Sequence, residues 1–589
     1  MAKKTNDIVW DTAKVLGKKS EGALIDELKA KVRTFCACRK KLDSLKPEGL
    51  RKLLLLEEEI AVIKRKLHGY YELRLSVNTK DSDMLAKTAK FSQLATDLSN
   101  DMLFFSLWFI HLDEKKAGVF LKSPLLSGYH HYLYEMRKEK PYIRSEEVEK
   151  IISLKSLVGA GAHSEIYSLV TSQFKYDFNG KKGLAQEEVV KNFYSKDPEL
   201  REGAYSLVLQ RYKENATVFN ELYKNIVLDG TTEDLKIRGF KTPISSQNLS
   251  NEIDDRIVET LLKVVRKNVS VFSDYFRLKW KINQKKGPKY EFSRYHIYAP
   301  YTVKVTERFD FDKSKNIMLE LFSGFSSRFH DAASEILEKR HVHAYPKPNK
   351  RSGAFCIGLH NKETPFIMLN HTGTLTDLFT LVHEFGHGVH DSLARKQNNL
   401  SYQASIPIAE TASIFSEMLL GDKIINDIKD DDEKTAILIK LLDNQFATII
   451  RQAYFVIFEI FAHDSISKGL TREEMNKEYR KLLKEQFGRM KIPSLFDEEW
   501  HYVPHIHYSP FYCYSYVWGN LLVLSLFAMY QKEGEKFKDK YLRLLEAGGS
   551  KSPVELLKEI GIDPSKEEFW QQGFEVIRKE IEELKRLTN

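Results

Sequence analysis

Cysteine is scarce, with four in 589 residues: Cys36, Cys38, Cys356 and Cys513. The first two form a C-x-C, which is not the C-x-x-C of redox or zinc-knuckle sites. A disulfide-stapled secreted fold is excluded, and free thiols in a reducing compartment are expected. Long apolar runs are also missing. The longest, "MLFFSLWFI" (Met102–Ile110) and "YVWGNLLVLSLFAMY" (Tyr516–Tyr530), fall short of a bilayer span of about 20 residues and read as buried helices. The N-terminal "MAKKTNDIVWDTAKVLGKK" lacks the apolar core of a signal peptide. A cytoplasmic location with no membrane partner is the expectation. A strong charge of one sign is absent as well. The 91 basic and 82 acidic residues leave +9, too small an excess at this length to suggest a nucleic-acid partner. No internal repeat or low-complexity segment stands out.

What is present is the composition of a soluble globular protein, 42% hydrophobic and 29% charged, in a chain long enough for about two to four domain-sized units or one large helical assembly. Helical periodicity dominates. "EGALIDELKAKVRTFCACRKKLDSL", "EGLRKLLLLEEEIAVIKRKLHGYYELRL" and "KTAKFSQLATDLSNDMLFFSLWFIHL" have the spacing of long amphipathic helices, so residues 1–190 form an expected N-terminal helical lobe. "YDFNGKKGLAQEE" offers a turn near Gly180. Helices continue to about residue 284, with breaks at "RGFKTPISSQN" and "NQKKGPKY". Near residue 340 the texture changes: "GAFCIGL" and "PFIML" fit two short strands, the only convincing ones in the chain. Helices resume at Leu375. The fold class is therefore mainly α-helical, with a small β-sheet beside the helix that follows it.

That helix contains "TLVHEFGHGVH" (Thr380–His390). Histidines at i and i+4 stack on one face, so the imidazoles of His383 and His387 can reach one metal ion. Glu384 lies at the edge of that face, where it can address the attacking water. An H-E-x-x-H arises by chance in about one such chain in twenty, so the motif alone leaves open a polar helix with satisfied histidines. A catalytic zinc needs a third protein ligand and an open position. The metzincin pattern would supply it from position 393, preceded by glycine at 390; the chain has Leu393 and His390, and that class is excluded. The next helix, "IPIAETASIFSEMLLGDKII", carries Glu410 and Glu417 about two turns apart on one face. Two carboxylates on a largely apolar helix are costly to bury without a cation between them. Glu410 is the expected third ligand, and Glu417 the acceptor behind a ligand histidine. His390 and Asp377 are weaker candidates for such supporting bonds, with a purely structural role equally open.

"HYVPHIHYSPFYCYSYVWGN" (His501–Asn520) packs three histidines and five tyrosines into twenty residues. For most of these rings a buried aromatic cluster is the favoured reading, but each hydroxyl needs a partner. Peptide hydrolysis on zinc needs donors for a developing oxyanion, and tyrosine or histidine can serve. Pro504 and Pro510 stiffen this stretch ahead of a helix expected from about Tyr512.

Taken together, "HEFGHGVH", "AETASIFSEMLL" and "PHIHYSPFYCYSY" resemble the M3 family of zinc metallopeptidases, most closely its oligoendopeptidase F branch. "GAFCIGLHNKETPFIMLNHTGTLTDLFTLVHEFGH" is similar to that branch almost throughout, and "IRGFKTPISSQNLSNEIDDRIVETLLKVV" more loosely. The resemblance spans roughly residues 195–585; the N-terminal lobe matches only in general helical character. It implies a two-lobed zincin-type fold around a deep channel that admits unstructured oligopeptides, with residues 191–589 as the catalytic domain. It implies one Zn2+ per chain on His383, His387 and Glu410, with Glu384 as the base. His505 takes the family's transition-state histidine position, Tyr516 a catalytic tyrosine position, and Tyr508 a second one for which Tyr512 is a rival. Gly353, Ala354 and Phe355 become an edge strand that pairs with the substrate backbone. One departure stands out. Relatives often carry an acidic residue before the proline preceding this strand, where the chain reads "HVHAYPK"; local substrate contacts differ there, not the chemistry.

The function expected is zinc-dependent cleavage of internal bonds in short unstructured oligopeptides by a metal-activated water. A metallocarboxypeptidase of another helical HExxH family would require a carboxylate anchor, usually arginine, and the His501–Asn520 loop has none. A non-catalytic peptide-binding protein would have no need of Glu384.

Overall fold

The computed structural model describes residues 8–156, 158–301 and 308–588. Helices dominate these residues, as the periodicity predicts. In the helix Pro47–Val77, Leu50, Leu54, Ile60, Leu67 and Tyr71 recur on the buried face, and Pro47 occupies the first turn. The helix Ser82–His111 starts at Asp81, whose carboxylate accepts the Met84 N–H at 3.0 Å.

The chain divides into two compact units, each assembled from three segments. One comprises Met1–Ile143, Thr306–Asp422 and Met529–Ile562; the other comprises Arg144–Val305, Lys423–Ala528 and Asp563–Asn589. The core of the first unit includes the Pro47–Val77 and Ser82–His111 helices, with Phe35 packed against the Phe104 and Phe105 rings at 6.1 and 5.4 Å. The same unit holds a three-stranded sheet. Phe366–Met368 is its fully buried central strand, with Val342–His343 parallel on one side and Phe355–Ile357 antiparallel on the other. Two of the three strands are those expected. Val342–His343 is an addition, too short to carry a period-two signal.

In the second unit the helix Asp255–Lys286 is capped by Asp254 and stops at Gly287, close to the expected break. Leu261, Val265, Phe272 and Tyr275 form its buried stripe. The helices Tyr514–Glu533 and Glu567–Thr588 meet closely at Gly573, where an added Cβ would lie 3.1 Å from the Leu521 side chain. Trp518 and Trp570 pack edge to face there at 4.9 Å.

The region around Gly180 corrects the sequence reading. It is more than a turn: Tyr176–Phe178 and Lys181–Leu184 form a hairpin with Phe178 opposite Lys181. The two loop residues, Asn179 and Gly180, have φ of 50° and 74°. That is the Asn-Gly loop whose left-handed residues match strand twist. Among the described residues, one helical run, Asp431–Lys468, is long and apolar enough to cross a membrane, and most of its apolar part is packed inside the protein.

Candidate metal centre

The helix Leu375–Ala394 begins at a capping box. The Thr374 hydroxyl accepts the Asp377 N–H at 3.2 Å, and the Asp377 carboxylate accepts the Thr374 N–H at 2.9 Å. Asp377 also accepts the N–H and hydroxyl of Thr372 at 2.9 and 2.8 Å. Its carboxylate is thus engaged in starting the helix. His383 lies six residues on, about 9 Å along the axis, so Asp377 does not sit behind a ligand histidine as the sequence reading allowed.

Two glycines in the motif set the packing behind the histidines. A Cβ on Gly386 would lie 2.6 Å from Ser413 Cα and 2.8 Å from the Ala412 carbonyl oxygen. Only a missing side chain lets the helix Thr411–Asp427 cross so near. A Cβ on Gly388 would meet Ile336 Cδ1 at 2.5 Å. The expected single helix from Ile406 is in fact two pieces, a turn at Ile406–Ala409 and the helix Thr411–Asp427, with Glu410 at the junction. This break turns Glu410 toward the histidines, and its Oε2 accepts the Ser413 hydroxyl at 2.8 Å. Sequence reasoning missed Ser413; its one available signal was the i, i+3 spacing from Glu410.

Three donor atoms converge at this crossing. His383 Nε2 and His387 Nε2 are 3.2 Å apart, and Glu410 Oε2 lies 3.5 and 3.3 Å from them respectively. Among the described residues they form one of the clusters able to hold a metal ion. Their fit to zinc can be tested on these distances. A tetrahedral ion with bonds of about 2.0–2.1 Å needs donors about 3.3–3.4 Å apart, and the triangle has that size. Glu417 Oε1 accepts from His383 Nδ1 at 2.5 Å, which fixes the tautomer and leaves Nε2 free to ligate.

The electrostatics agree. Burial alone would lower the His383 pKa, yet Glu417, Glu410 and Glu384 hold it up at about 9. Burial pushes Glu410 up, and His387, His383 and Ser413 overcome that and bring it to about 2. A site that holds His383 charged in this way is short of positive charge. Glu384, 7% exposed, is pushed up by burial against the opposing effect of the two histidines. His390 is buried too. Burial and then the His387 charge hold it down at about 4, so it stays neutral, and its Nε2 has no protein partner. No hydrogen bond joins it to His383 or His387 among the described residues.

Gly353 precedes the edge strand with φ of 79° and open space where a Cβ would stand. Its backbone conformation is one that favours glycine. Its carbonyl accepts from Asn370 Nδ2 at 2.8 Å, and Ala354 leads into the strand that starts at Phe355.

The aromatic run belongs to the second unit. It folds as a 3-10 stretch Ser494–Tyr502, a single turn His505–Tyr508 and the helix Tyr514–Glu533, two residues later than expected. His505 Nε2 and the Tyr516 hydroxyl are 3.3 Å apart. The Tyr512 ring lies parallel to His505 at 6.0 Å and edge-on to Tyr516 at 5.3 Å. Tyr508 is not part of this trio. Its ring is 49% exposed and its hydroxyl pairs with Ser168 at 2.7 Å, on the helix Ala160–Ser172. His501 and His507 are buried, the latter stacked on Tyr167 at 4.0 Å, as the aromatic-cluster reading predicts.

Comparison with known proteins gives a consistent picture. The model of peptidase family M3 matches residues 192–576, and that of oligopeptidase F matches residues 108–176. Similarity therefore reaches into the N-terminal region, where sequence reading found only general helical character. The chain is 28% identical to an oligoendopeptidase F homolog of Borreliella burgdorferi, over 92% of this chain and 94% of the relative. It is 27% identical to the oligopeptidase PepF of Bacillus subtilis, over 92% and 81%. A structure from Chlamydophila abortus, described as that of a candidate peptidase, superposes with a TM-score of 0.84 at 26% identity, over 99% of this chain and 98% of the other.

Proposed function

The chain belongs to peptidase family M3, and on that premise we propose that it is a zinc-dependent endopeptidase that cleaves internal bonds of short, unstructured oligopeptides. The observation that carries the reading is the triangle of His383, His387 and Glu410 donors, 3.2 to 3.5 Å on a side, with Glu384 next to its first member.

These three residues hold one zinc ion per chain. When bound, the ion supplies Lewis acidity that polarises the scissile carbonyl and brings the attacking water's pKa toward neutrality. Glu384 takes the proton as water attacks and delivers it to the leaving amine; its buried setting raises its proton affinity, which suits both steps. Glu417 orients the His383 ring, and Ser413 orients the Glu410 carboxylate. His505 and Tyr516 donate to the oxyanion, a role that rests on the family resemblance and on their mutual hydrogen bond. For the second tyrosine position we favour Tyr512, which shares the ring cluster, over Tyr508, whose hydroxyl is held by Ser168. The edge strand led by Gly353, Ala354 and Phe355 pairs with the substrate backbone. A cytoplasmic location completes the proposal, supported by four free cysteines.

The test is a peptide-library digest read by mass spectrometry, with and without a chelator. Chelator-sensitive cleavage at internal bonds, including in peptides blocked at both ends, is expected. Release of C-terminal residues alone, or cleavage that survives complete zinc removal, overturns the reading.

A further inference from the structure

One segment of the second unit carries both donors assigned to the oxyanion, and its path turns on a single residue. His505 stands on the turn His505–Tyr508, and Tyr516 in the first turn of the helix Tyr514–Glu533. The Ser509 N–H closes the turn on the His505 carbonyl at 2.9 Å. The helix then starts with the Tyr514 and Ser515 N–H groups on the Phe511 and Tyr512 carbonyls, at 3.4 and 3.0 Å. Phe511 is the joint between the two. Its φ of 63° lies in the left-handed region, where a residue with a side chain costs about 1–2 kcal/mol. Such a conformation persists only where its surroundings hold it.

Two side chains one turn apart on the helix Arg451–Ser465, in the same unit, do the holding. The buried His463 ring lies 4.5 Å from the ring of Phe511, which is buried as well. Glu459 is 0% exposed, and its Oε1 accepts the Phe511 N–H at 2.8 Å. Its Oε2 has no hydrogen-bond partner among the described residues. A fully buried carboxyl group is a costly way to satisfy one backbone N–H. What it supplies is a fixed acceptor at the joint between His505 and Tyr516.

We propose that Glu459 is a positioning residue: by holding Phe511 left-handed it fixes His505 and Tyr516 relative to each other for their work on the oxyanion, an inference that rests on the peptidase reading above. Without the acceptor, Phe511 relaxes to negative φ and the chain leaves the joint in another direction. His505 Nε2 and the Tyr516 hydroxyl, 3.3 Å apart, then lose their common aim. Misplacing such a donor by about 1 Å costs up to about 100-fold in rate. The loss falls on kcat, because the oxyanion charge develops only on the way to the transition state.

The test measures kcat, KM and zinc content of the full-length, zinc-loaded enzyme on an internally quenched oligopeptide. Glu459→Gln keeps an oxygen on the Phe511 N–H and is expected to stay within about twofold of wild type. Glu459→Met keeps the shape and removes the acceptor, and Glu459→Asp keeps the carboxylate but draws it back by one methylene. In both, kcat is expected to fall about 10- to 100-fold with KM and zinc content unchanged. In a Tyr516→Phe background the same two changes should cost only about threefold more, since one of the donors they misplace is already gone. Wild-type kcat in Glu459→Met or Glu459→Asp, or an equal factor in both backgrounds, overturns the positioning role. If only one of the two folds, it decides; if neither folds, Glu459 serves the core and the proposal also falls. Unchanged kcat in Tyr516→Phe alone, or no cleavage by zinc-loaded wild type, overturns the peptidase reading instead.

Discussion

His383, His387 and Glu410 bring three donor atoms together at the spacing a metal ion needs, whereas His505, Tyr512 and Tyr516 hold one another by a hydrogen bond and ring contacts. The first set is incomplete by itself. Its carboxylates hold His383 charged. The second set is held by contacts among its own side chains, with all three residues half-buried. On the proposed roles, metal occupancy and oxyanion support are separable, and substitutions in the two regions should fail in different ways.

The largest expected effect is loss of the metal. Glu410→Ala or His387→Ala removes one of three ligands, and both zinc content and peptide cleavage should vanish together. Tyr516→Phe should break the parallel: zinc stays at one per chain while kcat falls about 100-fold, the range seen for a lost oxyanion donor. Glu417→Gln sharpens the comparison from the metal side. The variant should keep its fold and lose about 10- to 100-fold in zinc affinity, read by competition with a chelator.

Gly386→Ala tests the crossing that brings Glu410 to the histidines. With a Cβ only 2.6 Å from Ser413 Cα, destabilisation by about 1–3 kcal/mol is expected in thermal unfolding, along with weaker zinc binding. The smallest effect concerns the aromatic stretch. Buried Glu459 accepts the Phe511 N–H at 2.8 Å, where Phe511 has a left-handed φ of 63°. Burial pushes Glu459 up to about 8, against that hydrogen bond. Because its folded pKa lies above the ordinary 4.5, its stabilising contribution is full below that value and is lost as pH rises through about 8. Glu459→Gln should flatten this part of the stability profile between pH 5 and 8.5, measured by Tm, with little change at the acidic end.

The two regions also differed in how far they could be read from sequence. His383, Glu384 and His387 lie within five residues on one helix, where 3.6-residue geometry converts spacing into position. Glu410 and Glu417 were reachable because carboxylates on an apolar helix need a cation. The break that turns Glu410 inward, and the role of Gly386 in allowing it, depend on the approach of a second helix and leave no trace in local spacing. In the aromatic stretch, residue types alone leave Tyr508 and Tyr512 as rivals; our preference for Tyr512 rests on the Tyr508 contact with Ser168, 340 residues away in sequence. The hairpin at Asn179–Gly180 was legible but under-read, since an Asn-Gly pair signals paired strands as well as a turn. The division after residue 190 remains a proposal about sequence modules, and the compact units draw segments from both sides of it.

The central claim is that Glu384 moves protons at a site whose metal is held by other residues. Glu384→Gln removes the base without touching a ligand. Its zinc content and its rate on an internally quenched oligopeptide, measured on the same sample, test that claim most directly. The account predicts one zinc per chain and a rate lower by at least about 1,000-fold. Wild-type rates at full zinc occupancy, or a variant that has lost its zinc, would contradict it.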